Sequence, residues 1–151
     1  SFTDEQIAAA VEAGQWSDEE AAAALVEFLV QRRDRIGRYW FARVNPLDRF
    51  EIRGEKLSFV DLAIERGYGE PAATQFELSI RTREGMLLAE NTLYMAMAEL
   101  QPSWQYVDLP VVVSLRPGRE GHHSKPVLLY VTWKVRAGIG RWKLIGLRRL
   151  D

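Results

Sequence analysis

Val127-Leu128-Leu129-Tyr130-Val131-Thr132-Trp133-Lys134-Val135 decides how this chain is read. Val127, Leu129, Val131, Trp133 and Val135 fall on one side and Leu128, Tyr130, Thr132 and Lys134 on the other, the period of two that belongs to a strand. The same alternation runs through Val111, Val113 and Leu115, and through Thr74 to Thr82, where Phe76, Leu78 and Ile80 are expected inward and Glu77, Ser79 and Arg81 outward. Lys56 to Glu65 reads as a strand with Val60, Leu62 and Ile64 on one face, and Trp142 to Leu150 as the closing strand. Arg83-Glu84-Gly85 reads as a hairpin loop with its glycine in the left-handed position, returning the chain along Met86 to Ala89. Asn91 to Leu100 carries two signals: Leu93, Met95 and Met97 alternate, yet Ala, Met, Glu and Leu also favour helix. It is taken as a strand.

Upstream of Trp40 the period changes to three or four. Thr3 and Gln6 have the spacing of a capping box, Ile7, Ala10 and Val11 share a stripe, and Gly14 supplies a stop, which predicts a helix over Thr3 to Ala13. Ser17 is read as the cap of a second helix whose first turn holds Asp18, Glu19 and Glu20, and the first basic residue is Arg32. Its apolar stripe, Leu25, Leu29, Ile36 and Trp40, is expected against the sheets. At about 26 residues this helix would be roughly 39 Å long. Tyr39, Trp40 and Phe41 are consecutive and cannot share a face, so apolar surface between Phe28 and Phe41 is expected to stay exposed, as a contact site for an upstream domain or a second copy.

Asn45-Pro46-Leu47-Asp48 is a turn signal, dividing a helical segment, 1–45, from a β-rich remainder, 46–151. Short strands separated by Gly, Pro and polar loops, with no crossover helices between them, predict an α+β protein: two N-terminal helices packed on an antiparallel β-sandwich of six or seven strands. The 151 residues, 47% hydrophobic, suffice for one domain with a small helical piece. A net charge of -1 argues against the basic footprint of a nucleic-acid partner. With no cysteine, thiolate chemistry, disulfides and Cys-ligated metals are excluded. No segment has the apolar length of a membrane span, so no membrane insertion is expected, and Ser1-Phe2-Thr3-Asp4 lacks the basic, apolar start of a signal peptide. Ser1 directly before a helix cap reads as the continuation of a longer polypeptide. The compartment is left open between cytoplasmic and extracytoplasmic.

Chemistry is sparsely marked. His122 and His123 are the two histidines and, with Glu120, offer the donor types of a surface metal site, although neighbours in one loop need further ligands to close a coordination shell. Ser124 beside them lacks a nucleophile-elbow sequence. Asp61, Glu65, Glu77 and Glu90 lie on or near strands, where carboxylates ordinarily face solvent and where a pair would serve acid–base chemistry. The arginines between Arg32 and Arg53 are interleaved with Asp34, Asp48 and Glu51, as on a solvated surface. Trp104 and Tyr106 are the aromatic pair least explained by strand packing, fit to cap a core, to stack on a sugar or to anchor a partner. No catalytic residue and no cofactor are assigned. The expected interaction surface comprises Phe28, Tyr39, Trp40, Phe41, Trp104 and Tyr106, with a protein partner, and carbohydrate as the alternative.

Two resemblances bear on this reading. The spacing of strands, and the loop Pro117 to Pro126 leading into Val127-Leu128-Leu129-Tyr130-Val131, look like an immunoglobulin or fibronectin type III domain. Phe2-Thr3-Asp4-Glu5-Gln6-Ile7, Tyr39-Trp40-Phe41 with Asn45-Pro46-Leu47-Asp48-Arg49-Phe50, and Trp142-Lys143-Leu144-Ile145-Gly146-Leu147 together resemble the C-terminal region of large, uncharacterised bacterial proteins whose upstream part is kinase-like. That resemblance implies an accessory role and carries no catalytic residue onto this chain.

Overall fold

The computed structural model of the protein describes residues 2–107 and 109–150. They divide into two compact units, one ending at Trp40 and one beginning at Phe41. In the first, α1 (Asp4–Glu12) starts with the full capping box: the Thr3 side chain accepts from the Gln6 backbone, and the Gln6 side chain accepts from the Thr3 N–H. α2 (Glu19–Phe41) is capped one residue later than expected, because the Asp18 carboxylate accepts from Ala21 N–H at 3.1 Å. Arg33 bridges back to Asp4 at 2.6 Å and donates to the Phe2 carbonyl, tying the two helices together. No residue of α2 is buried. Ile36 and Trp40, expected against the sheets, are at least half exposed.

The second unit holds eight strands in two antiparallel sheets, where six or seven strands were expected. β1 (Leu47–Arg53), β2 (Lys56–Asp61) and β5 (Met97–Glu99) form a three-stranded sheet in the order β1-β2-β5. β3 (Gln75–Arg81), β4 (Leu87–Leu93), β6 (Val111–Gly118), β7 (Val127–Arg136) and β8 (Ile139–Arg149) form the other, in the order β4-β3-β6-β7-β8. The inward faces read from Phe76, Leu78, Ile80, Val111, Val113, Leu115, Val127, Leu129 and Val131 are all buried. With Leu47, Leu57, Phe59 and Ala98 of the smaller sheet they make one hydrophobic cluster, in which the Phe59 and Phe76 rings meet edge to face at 5.0 Å. Asn91 to Leu100 is neither a helix nor one strand. It finishes β4, breaks at Tyr94 to Ala96, and resumes as β5 in the other sheet.

The stretch Lys56 to Glu65 corrects the reading most. Leu57, Phe59 and Asp61 point inward, not Val60, Leu62 and Ile64, and the strand stops at Asp61. There the carboxylate accepts from Ala63 N–H at 2.9 Å and Ile64 N–H at 3.3 Å, capping the single turn α3 (Leu62–Glu65). Asp61 also receives Arg119 from the end of β6, at 2.9 and 3.3 Å, with the Asp61 side chain 2% and Arg119 11% exposed. Arg119 further reaches Thr74 Oγ1 at 3.4 Å. Gly69 makes the space: a Cβ there would stand 2.7 Å from the guanidinium.

β1 is held from two sides. Asn45 donates to the carbonyls of Leu115 (2.9 Å) and Lys125 (3.1 Å) and accepts from Leu47 N–H. Arg149, at the end of β8, donates to the carbonyls of Asn45 and Leu47, each at 2.9 Å.

Arg119→Met leaves the Asp61 carboxylate buried without its cation and is expected to destabilise the β unit by about 3–5 kcal/mol in urea unfolding, whereas breaking the exposed Arg53–Glu51 pair costs under about 1 kcal/mol. A loss below about 1 kcal/mol for Arg119→Met would show the pair to be dispensable.

Candidate functional site

An α-helix advances about 100° per residue. On that wheel Phe28, Tyr39, Ile36 and Trp40 fall within an arc of about 120°, with Leu25 and Leu29 between them. Phe28 is 59% and Trp40 56% exposed, and Tyr39 and Ile36 are similarly open. Tyr39 and Trp40 meet edge to face at 5.6 Å. α1 covers one flank of this face and leaves a groove lined by Phe2, Ile7 and Ala10 from its side and Leu29, Arg33 and Ile36 from α2. The helix therefore presents a broad, largely apolar face with Arg32 near its middle.

Phe41 does not share it. It lies about 100° beyond Trp40, is half-buried, and packs on Tyr68 with ring centroids 5.6 Å apart. Its carbonyl accepts from His122 Nδ1 at 3.1 Å.

That bond decides what His122 can do. A carbonyl only accepts, so Nδ1 carries the proton, and Nε2 accepts from the Ser124 hydroxyl. Burial, and then the nearby Arg119 charge, hold the imidazole below its ordinary value of 6.5. Both ring nitrogens of His122 are engaged, His123 is tied through its backbone N–H to the Ala42 carbonyl at 2.9 Å, and no group of three metal-ligating side chains occurs among the described residues. The structure does bring His122 and Ser124 together. Ser124 is buried, however, and the imidazole is oriented by a backbone carbonyl, not by a carboxylate, so the pair lacks the open nucleophile and the third member of a hydrolytic triad.

The four carboxylates are dispersed. Asp61 is buried against Arg119; Glu65 pairs with Arg49 at 2.6 Å; Glu77 pairs with Arg116. Glu90 is exposed on β4, and with Glu77 it lines a shallow cleft on the outer face of the larger sheet. Trp104 and Tyr106 part company in the 3-10 turn Pro102–Tyr106: Trp104 packs partly on the core, while Tyr106 is 85% exposed. Trp104 lines a cleft of about 650 Å³ with Asn91, Thr92, Tyr94, Glu99 and Gln101. Sequence reasoning missed Arg119, whose signal was faint: an arginine in a Gly-rich loop, with its acidic partner 58 residues away.

Because folding lowers the His122 pKa, the unfolded chain binds more protons just below pH 6.5, and stability contributed by the neutral imidazole falls as pH drops through that value. Melting of the wild type at about pH 7.5 and at about pH 5.5 is expected to show this loss, and His122→Asn to reduce the difference. An equal pH dependence in the variant would remove His122 as its source.

Comparison with protein-family models, with curated proteins and with solved structures finds no match.

Proposed function

We propose that this chain is a noncatalytic interaction module in which the apolar face of α2 takes a protein partner, and that the partner is a second copy of the chain. The observation that carries the reading is a helix of 23 residues with none buried and with Phe28, Ile36, Tyr39 and Trp40 exposed within one arc. Glu20, Glu27 and Arg38 lie on the opposite side of the helix from this face, so charge does not oppose face-to-face pairing there. Apolar face on apolar face about a two-fold axis is the isologous arrangement of most homodimers. In this reading the two sheets form a β-sandwich of immunoglobulin or fibronectin type III type, and the whole serves as the C-terminal accessory of a larger bacterial protein with a kinase-like upstream part.

Sedimentation equilibrium is expected to show concentration-dependent dimers that Trp40→Glu abolishes. Trp40→Ala is expected to cost under about 1 kcal/mol in monomer stability, against about 3–5 for a core tryptophan. A strict monomer at every accessible concentration overturns self-pairing; restored burial of α2 on adding the upstream region would assign the face to that domain instead.

A second reading rests on the Trp104 cleft, where Trp104 and Tyr94 line the same space as polar Asn91, Thr92, Glu99 and Gln101 and apolar Leu88, Leu93 and Met95. Such a lining suits a sugar. A glycan array with wild type and Trp104→Ala tests it: binding lost in the variant supports a carbohydrate site, and no binding by the wild type removes it.

A further inference from the structure

Residues 121–150 contain seven of the chain's 20 Lys and Arg and none of its 21 Asp and Glu. The β7–β8 hairpin concentrates them. Its register sets Arg136 opposite Ile139, Lys134 opposite Arg141, and Thr132 opposite Lys143. These pairs lie on one face of the ribbon, so Lys134, Arg136, Arg141 and Lys143 share a side, all four are exposed, and none has an ion pair among the described residues. An open cleft of about 750 Å³ runs along the hairpin, lined by these four cations and by Ile52, Ile139 and Leu144 but by no carboxylate. Cations on an edge strand such as β8 guard it against pairing with another edge. β6 pairs with β7 only as far as Val131, so Lys134 and Arg136 also stand on a free edge, but edge protection does not account for two like charges directly opposite each other, an arrangement that weakens a hairpin.

The tip adds an apolar feature. Ala137 (φ 51°) and Gly138 (φ 77°) form the two-residue turn with both φ positive that matches strand twist, and Trp133 lies so close over Gly140 that a Cβ there would be 2.3 Å from its ring. Beside the turn, Val135 is 66% and Ile139 63% exposed. One strand step of two residues, about 7 Å, separates the Arg136/Ile139 pair from Lys134/Arg141.

From this juxtaposition we propose that the β7–β8 hairpin docks tip-first on an anionic lipid bilayer, with Ile139 and Val135 entering the acyl boundary from the two faces of the ribbon, Arg136 beside Ile139 reaching back to the headgroups along its aliphatic stem, and Lys134, Arg141 and Lys143 lying at the level of the anionic headgroups. Apolar side chains enter such a boundary by about 5–10 Å, which seats the tip and leaves the next cation pair among headgroup phosphates and carboxylates. Each cation near an anionic surface adds attraction that salt screens. A nucleic acid would use the same charges but has no place for Val135 and Ile139, and no exposed aromatic on the finger is available for stacking among the described residues. The long-helix route to a bilayer is separate: no helix among the described residues is long and apolar enough to cross one.

The full chain is sedimented with vesicles of phosphatidylcholine alone and with vesicles containing about 30% phosphatidylserine at about 0.1 M salt. Binding is expected to the second kind and not the first. Lys134→Glu should lower it by about tenfold or more while leaving the melting temperature unchanged or raised, since it sets a carboxylate opposite Arg141. Lys143→Glu, farther from the turn, repeats the charge test should Lys134→Glu fold poorly. Ile139→Ser should weaken binding at unchanged charge. No binding to the phosphatidylserine vesicles, or equal binding to both kinds, overturns the proposal. So does a full effect of the charge variants with none from Ile139→Ser when duplex DNA displaces the vesicles, which would mark a nucleic-acid surface.

Discussion

The Asp61 carboxylate does three jobs at one place. It ends β2 on the inward face, caps the turn that follows, and receives the Arg119 guanidinium from the far end of β6. A charge so enclosed is tolerable only with its partner and hydrogen bonds in position, so the pair ties the smaller sheet to the end of a strand of the larger one. Once Arg119 is fixed, the loop after it has little freedom. His122 is brought to the Phe41 carbonyl and to Ser124, and His123 to Ala42, which secures the segment where the β unit begins. The residues that looked most like chemistry are thus drawn into structure. His122 acts as a neutral donor and acceptor inside a latch.

Where the sequence was legible, one side of a strand met the core and the other met solvent. Phe76-Glu77-Leu78-Ser79-Ile80 and Val127 to Val131 show this without interruption, and their faces were read correctly. β1 was missed because its period breaks. A bulge between Asp48 and Glu51, with Arg49 at φ 50°, shifts the phase so that Leu47 is inward at an odd position and Phe50 and Ile52 pack on the core at even ones. The face of β2 was inverted for a different reason: Val60, Leu62 and Ile64 alternate by accident across a strand-to-helix junction, while the inward row ends on a charged residue. No local pattern announces a buried aspartate whose partner is 58 residues distant. The mixed signal of Asn91 to Leu100 reflects a segment that leaves one sheet for the other, so no single period applies to it.

The exposure of the α2 face was legible in part. Phe28, Tyr39 and Trp40 were named from their spacing, and the placement of Phe41 on Tyr68 required the fold. The cationic hairpin was written plainly in the sequence and went unread because a net charge of -1 averages an acid-free C-terminal stretch with an N-terminal one that has no Lys or Arg before Arg32. A mean charge describes solubility; the distribution along the chain describes what each surface attracts.

The clamp on β1 also constrains the order of events in folding. Leu47 and Asn45 give their carbonyls to Arg149, residues 102 and 104 positions downstream, and the Asn45 amide waits for Leu115 and Lys125. The first strand of the β unit therefore acquires its last hydrogen bonds only after the final strand exists. Closing so long a loop is slow compared with forming the β7–β8 hairpin, whose partners are neighbours in sequence. During synthesis the Asn45 and Leu47 carbonyls must wait for Arg149 to emerge, and the free edge of β2 for β5, which leaves the β1–β2 ribbon open to mispairing with another nascent chain in the interval.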